Sequence, residues 1–402
     1  MATSLVPVEE ALRQLLDGAE PVDAETVALA DAADRVLAEP VTALRMQPPF
    51  PASAMDGYAV RSGDLTVGRK LAVIGEAPAG APFGGPVGEG QAVCIFTGAP
   101  VPAGADTILI QENARRIDAA TVEVIETVAA GRHIRRAGLD FEEGETLLER
   151  LRVLDAAALS LAASANHATL PVIRRPLIAI IATGDELLPP GSTLGVGQII
   201  SSNAYGVAAI ARAAGADAID LGIVRDRRDE MSARIGEALD ARADIIVTLG
   251  GASVGDHDLV NAVLSARGMR TDFWKIAMRP GKPLMFGRLD DTWVIGLPGN
   301  PVASLVCSNL FLKPLVSRLA GRQYAPDIRE AELGAAMAAN DARQDYVRAV
   351  TSQGSHGLVA TPFDIQDSSM LKTLADSNGL IIRPPFAPAA PAGTPVQVLM
   401  LR

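Results

Sequence analysis

The spacing of apolar residues divides the chain into segments of different character. Apolar side chains recur at helical spacing from Ala11 to Leu16, which predicts helix over residues 8–40. The alanine-rich residues 146–170 predict helix a second time. Together these flanks predict a discontinuous helical domain, made of residues 1–46 and 132–173.

Between the two flanks, prolines and glycines separate short runs rich in β-branched residues. The runs KLAVIG, QAVCIFTG and DTILIQE have the composition of strands bounded by turns. They predict a small β domain over residues 47–131. Since domains tolerate insertions where entry and exit lie close together, we interpret this β domain as an insertion into the helical one.

Strands and helices alternate in the region 174–326. PLIAIIATG, DAIDLGIV and DIIVTLGG predict strands, each followed by a helix, and LMFGRL and TWVIGL predict two further strands before a long helix from Pro301. Such alternation is typical of a mostly parallel sheet with helical crossovers. Residues 327–402 contain short strand-like pieces and predict a C-terminal β domain. The expected fold class is multidomain α/β plus β, with a central α/β domain.

Composition excludes several classes of protein. The chain has 402 residues, of which 49% are hydrophobic and 21% charged, so global disorder is not expected. A net charge of −11 argues against a general nucleic-acid binder. Two cysteines and four histidines provide neither a disulfide framework nor a His/Cys metal cage. The acidic N-terminus and the short longest apolar run, Leu177 to Ala182, predict a cytoplasmic protein without a membrane span.

Glycine-rich turns follow two of the predicted strands. In an open α/β sheet, ligands bind outside the carboxyl ends of the strands. There Gly250, Gly251 and Ser253 follow one strand, and GLPGNP ends another. Glycines let backbone N–H groups approach an anion closely, so these turns predict a phosphate site. The alternative is a pair of tight turns that need glycine for their geometry alone.

Acidic residues are expected at the same edge. Glu186, Asp226 and Asp258 each come shortly after a predicted strand. Carboxylates close to a phosphate repel it unless a hard cation intervenes, and Mg²⁺ prefers such oxygen ligands. The sequence therefore predicts a magnesium–phosphate site. Asp185 and Asp256 are interpreted instead as capping or turn residues.

A basic cluster lies in the segment WKIAMRPGKP. In an extended strand Lys275 and Arg279 share a face, and Lys282 follows a Pro-Gly turn. These cations suit a multiply charged oxyanion, for which arginine offers a two-pronged donor. The alternative is an ordinary solvated basic face. Asp56 and Asp140 lie in two further loops, which are either functional or salt-bridged domain junctions.

Seven motifs occur in the same order as in a known family and span nearly the whole chain. Through them the sequence resembles the molybdopterin molybdenumtransferase family, the MoeA/gephyrin E-domain group. The motifs are PFPASAMDGYAV, FTGAPVPAGAD, IRRAGLD, ATGDEL, GGASVGDHD, WKIAMRPGKP and GLPGNPV.

This resemblance implies four domains and an elongated homodimer, in which the α/β domain of one subunit meets the inserted domain of the other. It implies a Mg²⁺-dependent reaction that inserts molybdenum from molybdate into adenylylated molybdopterin and releases AMP. The molybdopterin adenylyltransferase and cofactor-accepting enzymes are implied as partners. Three alternatives stay open: a non-catalytic cofactor carrier or scaffold of the same fold, a tungsten-inserting paralogue, and a nucleotide pyrophosphatase.

The resemblance also assigns roles to individual residues. Glu186, Asp226 and Asp258 would serve Mg²⁺ and the phosphoanhydride, with Asp56 and Asp140 as further catalytic residues. The implied substrate-binding residues are Thr97, Thr183, Gly250, Gly251, Ser253, Lys275, Pro298 and Asn300. The implied molybdate-binding residues are Arg279, Lys282, Arg348 and Ser368.

Two positions depart from the family pattern. Arg279 stands where many members have lysine, which keeps the charge but changes the donor geometry. Ala303 replaces a common serine, and the hydroxyl of the neighbouring Ser304 is expected to point elsewhere on the helix.

Overall fold

The computed structural model describes residues 5–250, 259–355 and 357–401, without the side chains of Phe273 and Trp274. The chain forms two units. The large unit comprises residues 1–25 and 173–402, and the small unit comprises residues 26–172. The domain boundaries expected from the sequence, at residues 46/47, 131/132 and 326/327, stay predictions.

The small unit is built around a six-stranded sheet in the order β7-β4-β6-β5-β9-β8. Helix α1 (Val8–Leu16) comes first in the chain and belongs to the large unit. The elements that follow, to the end of the small unit, are β1 (Ala24–Ala28), β2 (Val41–Thr42), β3 (Ala52–Ser53), β4 (Gly57–Val60), β5 (Lys70–Ala77), β6 (Gln91–Ile95), β7 (Thr107–Ile110), β8 (Ala114–Arg116), β9 (Thr121–Val124), β10 (Ile134–Arg135), β11 (Thr146–Leu148), α2 (Ala156–Ser164) and β12 (Thr169–Ile173). Alternate residues of a strand point to opposite faces. Accordingly Tyr58 and Val60 belong to one apolar cluster, and Ala59 belongs to another. The strands expected at KLAVIG, QAVCIFTG and DTILIQE are confirmed.

The two long predicted helices of the flanks are wrong in extent. Helix α1 ends at Leu16, because Gly18 follows in the left-handed conformation at φ 70°, where a helix commonly terminates. Helix α2 begins only after Asp155, whose carboxylate accepts a hydrogen bond of 2.8 Å from the backbone N–H of Ala158. Asn166, at φ 77°, follows its end. Alanine content alone therefore overestimated helix in a segment that is mostly short strands and turns.

The central sheet of the large unit has six strands in the order β16-β13-β17-β21-β20-β18. Its elements are β13 (Leu177–Thr183), β14 (Leu187–Leu188), β15 (Ile199–Ile200), α3 (Asn203–Ala213), β16 (Asp217–Val224), α4 (Arg228–Asp240), β17 (Ile245–Leu249), α5 (Leu259–Ala266), β18 (Arg270–Lys275), β19 (Met278–Arg279), β20 (Pro283–Leu289), β21 (Thr292–Leu297), α6 (Pro301–Cys307) and α7 (Lys313–Leu319). The first four strands of this order are parallel, whereas β20 and β18 are antiparallel to their neighbours. The predicted mostly parallel α/β arrangement is confirmed.

Apolar side chains cover both faces of this sheet. In β13, Ile178 and Ile180 pack in a cluster with helices α3, α6 and α7, while Ala179 and Ile181 pack with α4 and α5. Strands that are buried on both faces have nearly continuous apolar sequences, which is why PLIAIIATG could be predicted as a strand. The helical segment Pro301–Leu319 is long and apolar enough to span a membrane, but most of it is buried inside the protein, as in a core helix.

The C-terminal strands form a third six-stranded sheet, in the order β19-β23-β24-β22-β26-β25, which closes through pairing of β23 with β25. Its remaining elements are β22 (Ile328–Leu333), β23 (Gln344–Gln353), β24 (Leu358–Pro362), α8 (Leu371–Asp376), β25 (Gly379–Arg383) and β26 (Pro395–Met400). The prediction of one extended strand through Lys275 and Arg279 is wrong. Strand β18 ends in the central sheet at Lys275, and β19 begins in the C-terminal sheet at Met278.

Candidate active site

A cavity of about 1290 Å³ lies in the large unit, along the carboxyl edge of the central sheet. Strands β13 and β17 end on its wall at Thr183 and Gly250, and the turn after β21 contributes Pro298 and Asn300. Strand β20 runs antiparallel to β21, so its first residues and the preceding Lys282 reach the same edge. The expectation of a site outside the strand ends therefore corresponds to a real cavity.

Three acidic residues lie on the wall: Glu186 after β13, Asp226 after β16, and Asp367, which precedes Ser368 in the C-terminal segment. The pKa of Asp226 is raised, chiefly by burial and then by the neighbouring charges of Asp185 and Glu186, while a hydrogen bond with Thr183 opposes the shift. Asp185 accepts a hydrogen bond of 3.2 Å from the backbone N–H of Asp226, as a turn residue does. The structure thus brings together Glu186 and Asp226 of the predicted acidic set.

Glycines are required where the strand ends meet. Gly250 has φ 89°, and a Cβ there would lie 2.9 Å from the carbonyl oxygen of Thr183. Gly184 has φ 149°, and a Cβ there would lie 2.8 Å from the carboxyl carbon of Glu186. These positions keep the ends of β13 and β17 close together. Four predicted site or turn residues lie outside the described residues: Gly251, Ser253, Asp256 and Asp258.

The predicted basic cluster is divided by the structure. Arg279 lies on the cavity wall, but its Nε donates a hydrogen bond of 2.8 Å to Asp345 on β23, and a second ion pair of 3.4 Å joins it to Asp341. Lys282 is exposed on the same wall and has no ion-pair partner within the described part of the chain. Lys275 is not on the wall. Of this cluster, Lys282 is therefore the wall residue whose charge is unpaired among the described residues.

The C-terminal segment contributes Ser368 to the wall. Asn300 donates a side-chain hydrogen bond of 2.9 Å to the Ser368 hydroxyl, and the backbone N–H of Val302 donates one of 3.0 Å to the Ser368 carbonyl. These contacts join the turn after β21 to the segment before α8.

Arg348 lies behind the wall. Its side chain is only 1% exposed, and its Nε donates a hydrogen bond of 3.1 Å to the amide oxygen of Gln366, a wall residue. Gln366 donates in return to the Arg348 carbonyl at 3.0 Å. Burial lowers the pKa of Arg348. Arg348 thus holds the segment that carries Ser368, rather than lining the cavity itself.

The small unit carries the remaining predicted residues. Asp56 accepts two hydrogen bonds from Thr97, one of 2.7 Å from its backbone N–H and one of 2.8 Å from its hydroxyl. These bonds lower the pKa of Asp56. Asp140 is exposed, and its backbone N–H donates to the carbonyl of Gln47 at 2.9 Å. Within the described residues, the hydrogen bonds of the Asp56 side chain are with Thr97, and both readings of the Asp56 loop stay predictions.

Family models match in three consecutive regions. Residues 6–166 match the MoeA N-terminal region (domains I and II), residues 179–318 match a probable molybdopterin binding domain, and residues 330–401 match the MoeA C-terminal region (domain IV). The molybdopterin molybdenumtransferase of Bacillus subtilis is 34% identical over 406 residues, covering 99% of this chain and 94% of the relative. The chain belongs to the molybdopterin molybdenumtransferase family.

Further relatives agree with this assignment. The molybdopterin molybdenumtransferase of Haemophilus influenzae is 38% identical over 303 residues, covering 75% of this chain and 74% of the relative. A crystal structure of a molybdopterin biosynthesis MoeA protein from Pyrococcus horikoshii matches with a TM-score of 0.86 and 27% identity, covering 99% of this chain and all of that one. The family resemblance and the multidomain fold are confirmed, and the chain is a transferase of molybdenum cofactor biosynthesis.

Sequence reasoning missed several residues of this transferase's cavity. Arg228, Arg343 and Gln366 lie on the wall without having been predicted there. A signal was present only for Arg228, which comes two residues after the predicted acid Asp226. The other two lie in loops of the C-terminal region, Arg343 just before β23 and Gln366 after β24, and reach the cavity through tertiary packing. Ser304 is fully buried and its hydroxyl has no hydrogen-bond partner among the described residues, so it faces the core as expected.

Proposed function

We propose that this transferase inserts molybdenum from molybdate into adenylylated molybdopterin, with Mg²⁺ as cofactor and AMP as product. The observation that supports this most is the charge distribution of the cavity. It places carboxylates after β13 and β16, and a free cation, Lys282, before β20. A substrate that needs both a divalent cation and an oxyanion site suits this wall.

The region around Lys282 suits molybdate as the metal donor. Molybdate is a tetrahedral dianion, for which an ammonium group, hydroxyls and amides are fitting donors. Ser368 and Asn300 lie on the same wall and supply a hydroxyl and an amide. Because the Asn300 amide already donates to the Ser368 hydroxyl, that hydroxyl can direct its own proton toward a bound anion.

The sulfur ligands for molybdenum belong to the substrate in this proposal. The chain's two cysteines are poor candidates, since Cys307 is fully buried and its pKa is raised to about 12 by burial. Cys94 belongs to the small unit, outside the cavity. The dithiolene of molybdopterin therefore accepts the metal.

The acidic wall fits a magnesium ion. Carboxylate oxygens are the ligands that Mg²⁺ prefers, and Glu186 and Asp226 would hold it. The raised pKa of Asp226, caused in part by Asp185 and Glu186, marks an accumulation of negative charge that a divalent cation would relieve. Within the described residues no three His, Cys, Asp or Glu side chains are grouped as a complete metal site, and Asp258 lies outside that description. When bound, the ion would neutralise charge on the phosphoanhydride.

The protein's own residues position the substrate and neutralise its charge. Cleavage of a phosphoanhydride depends more on positioning and electrostatics than on a covalent nucleophile. The close approach of β13 and β17 at Gly250 gives a phosphate access to backbone at the sheet edge.

We also propose a cytoplasmic homodimer as the working form. Asp56, Thr97 and Asp140 of one subunit would complete the site of the partner, which gives the Asp56–Thr97 pair a role beyond its own unit. The molybdopterin adenylyltransferase would deliver the substrate, and cofactor-accepting enzymes would take the product.

The proposal is tested by incubating purified protein with adenylylated molybdopterin, Mg²⁺ and varied molybdate. AMP release and pterin-bound molybdenum are measured in the same samples and are expected to rise together. AMP release without metal insertion would indicate a pyrophosphatase, or a tungsten enzyme if tungstate restores insertion. Tight substrate binding without AMP release would indicate a carrier.

The variant Lys282→Gln locates the oxyanion site within this assay. It is expected to raise the KM for molybdate, because it removes the wall's free ammonium group beside Ser368. The matched control is Lys372→Gln, since Lys372 is also exposed but pairs with Asp376 at 2.7 Å on helix α8. Equal molybdate dependence in the two variants would refute the role of Lys282.

A further inference from the structure

We propose that Arg228 is a substrate-binding residue that holds the nucleotide phosphate, at the opposite end of the cavity from molybdate. This inference rests on the proposed function and names the residue that recognises one part of its substrate. It starts from four basic side chains on the cavity wall in the described part of the chain: Arg228, Arg279, Lys282 and Arg343.

Two of these four cations are already paired with carboxylates. Arg279 pairs with Asp345 at 2.8 Å, and Arg343 pairs with Asp341 at 2.9 Å. The side chains of Arg228 and Lys282 are exposed and make no hydrogen bond or ion pair with any residue that the structure describes. An anionic substrate therefore meets two free cations in this cavity.

The two free cations lie far apart along the sheet edge. Arg228 begins helix α4, just after β16, the first strand in the sheet order, and Lys282 precedes β20, the fifth. Four strand spacings separate β16 from β20, which corresponds to roughly 19 Å. The backbone positions of Arg228 and Lys282 are therefore well separated, and each side chain can contact a different anionic group. The arrangement fits an extended substrate assembly with an anionic group near each end.

The guanidinium of Arg228 suits a phosphate. Its planar donors bind two phosphate oxygens at once, which a lysine ammonium cannot do with the same geometry. Arg228 also follows Asp226 closely in the chain, so the phosphate it holds lies beside the acidic wall where we place Mg²⁺. The nucleotide phosphate, and not molybdate, is the group expected at this end.

The neighbouring Arg227 provides a matched control. It is also exposed, but its Nη2 lies 3.0 Å from Asp229 and its Nε lies 3.5 Å from Glu230, and it is not on the cavity wall. Arg227→Ala therefore removes the same type of charge from the adjacent position without removing a wall residue.

The experiment compares Arg228→Ala, Arg228→Lys and Arg227→Ala with the parent protein. AMP release is measured with varied adenylylated molybdopterin at saturating molybdate, and then with varied molybdate at saturating pterin. Arg228→Ala is expected to raise the KM for the adenylylated substrate about tenfold or more, as for loss of a charge-assisted hydrogen bond, with the KM for molybdate unchanged. Arg228→Lys should recover part of the loss, and Arg227→Ala should stay within about twofold.

Calorimetric titration with AMP separates this inference from the proposed reaction. If the parent protein releases no AMP in the assay, the proposed function fails, yet weaker AMP binding by Arg228→Ala than by Arg227→Ala would still support the site. Equal AMP affinity and equal KM values in the two alanine variants would overturn the inference. A raised molybdate KM in Arg228→Ala, with an unchanged pterin KM, would also overturn it.

Discussion

Replacement of Arg348 by methionine tests how the molybdate end of the cavity is built. Methionine has a similar length but carries no charge and no donor. The change removes the hydrogen bonds from the guanidinium to Gln366 at 3.1 Å and to the Met370 carbonyl at 3.4 Å. Gln366 keeps three hydrogen bonds: its amide oxygen accepts from the Arg348 backbone N–H at 3.0 Å, and its amide nitrogen donates to the carbonyls of Arg348 at 3.0 Å and Phe363 at 2.9 Å.

The expected change in stability is small because two effects oppose each other. Losing the bond to Gln366, and the longer one to Met370, costs about 1–3 kcal/mol. Removing a buried cation that has no carboxylate in hydrogen-bond contact recovers part of this cost, since its desolvation penalty disappears. The net destabilisation should be about 1–2 kcal/mol, which thermal unfolding can measure as a modest drop in Tm.

The functional effect should exceed the effect on stability. The guanidinium holds Gln366 and Met370, which lie on either side of Ser368 in the chain. Its loss should let Ser368 move on the wall, so the KM for molybdate should rise while the KM for the adenylylated pterin stays the same. Arg383→Met is the matched control. Arg383 is also buried in the C-terminal sheet and donates to the carbonyls of Ala338 and Pro388, away from the cavity. An unchanged molybdate KM in Arg348→Met, or an equal rise in Arg383→Met, would refute the reasoning.

Two further predictions concern a backbone position and an acid. Gly250→Ala should lower Tm more than Gly191→Ala, because both have φ near 90° but only Gly250 would bring a Cβ to 2.9 Å from the Thr183 carbonyl; the left-handed conformation alone costs about 1–2 kcal/mol. Equal drops in Tm would show that the contact does not matter. The pKa of Asp56 lies below its ordinary value of 3.8, chiefly through the Thr97 backbone N–H and then its hydroxyl. The ionised Asp56 carboxylate therefore stabilises the folded protein above pH 3.8, and this stabilisation is lost as the pH falls through the folded-state pKa of Asp56. Thr97→Val should raise the pKa of Asp56 part of the way toward its ordinary value, since the hydrogen bond from the backbone N–H remains. NMR titration of the Asp56 carboxyl measures this pKa, and an unchanged value would contradict the prediction.

The central sheet was predictable because its pattern is local. DIIVTLGG contains β17, Ile245–Leu249, whose five residues are all buried; a parallel strand covered on both faces needs such a nearly continuous apolar run. The flanking helices were not predictable in extent, because helix propensity is a weak guide that tertiary context overrides. There the structure stopped each helix at a cap or a left-handed residue.

The candidate site was also predictable only in part. The acids and glycines at the sheet edge could be placed from the sequence, because the carboxyl ends of parallel strands meet at one edge. Which cations are paired and which are free could not be predicted from the sequence, because the pairing of a cation depends on residues far away in the chain. Arg279 meets Asp345, which is 66 residues away in the chain, and Arg348 is buried behind Gln366.

Strand periodicity and turn residues thus determined the α/β architecture and the edge at which the ligand site lies. Tertiary packing decided which charges on that edge are free. The physical reason is that side-chain periodicity is a property of neighbouring residues, whereas the availability of a charge depends on every element packed against it. Arg279 and Arg343 are paired with Asp345 and Asp341, whereas the side chains of Arg228 and Lys282 have no partner among the described residues.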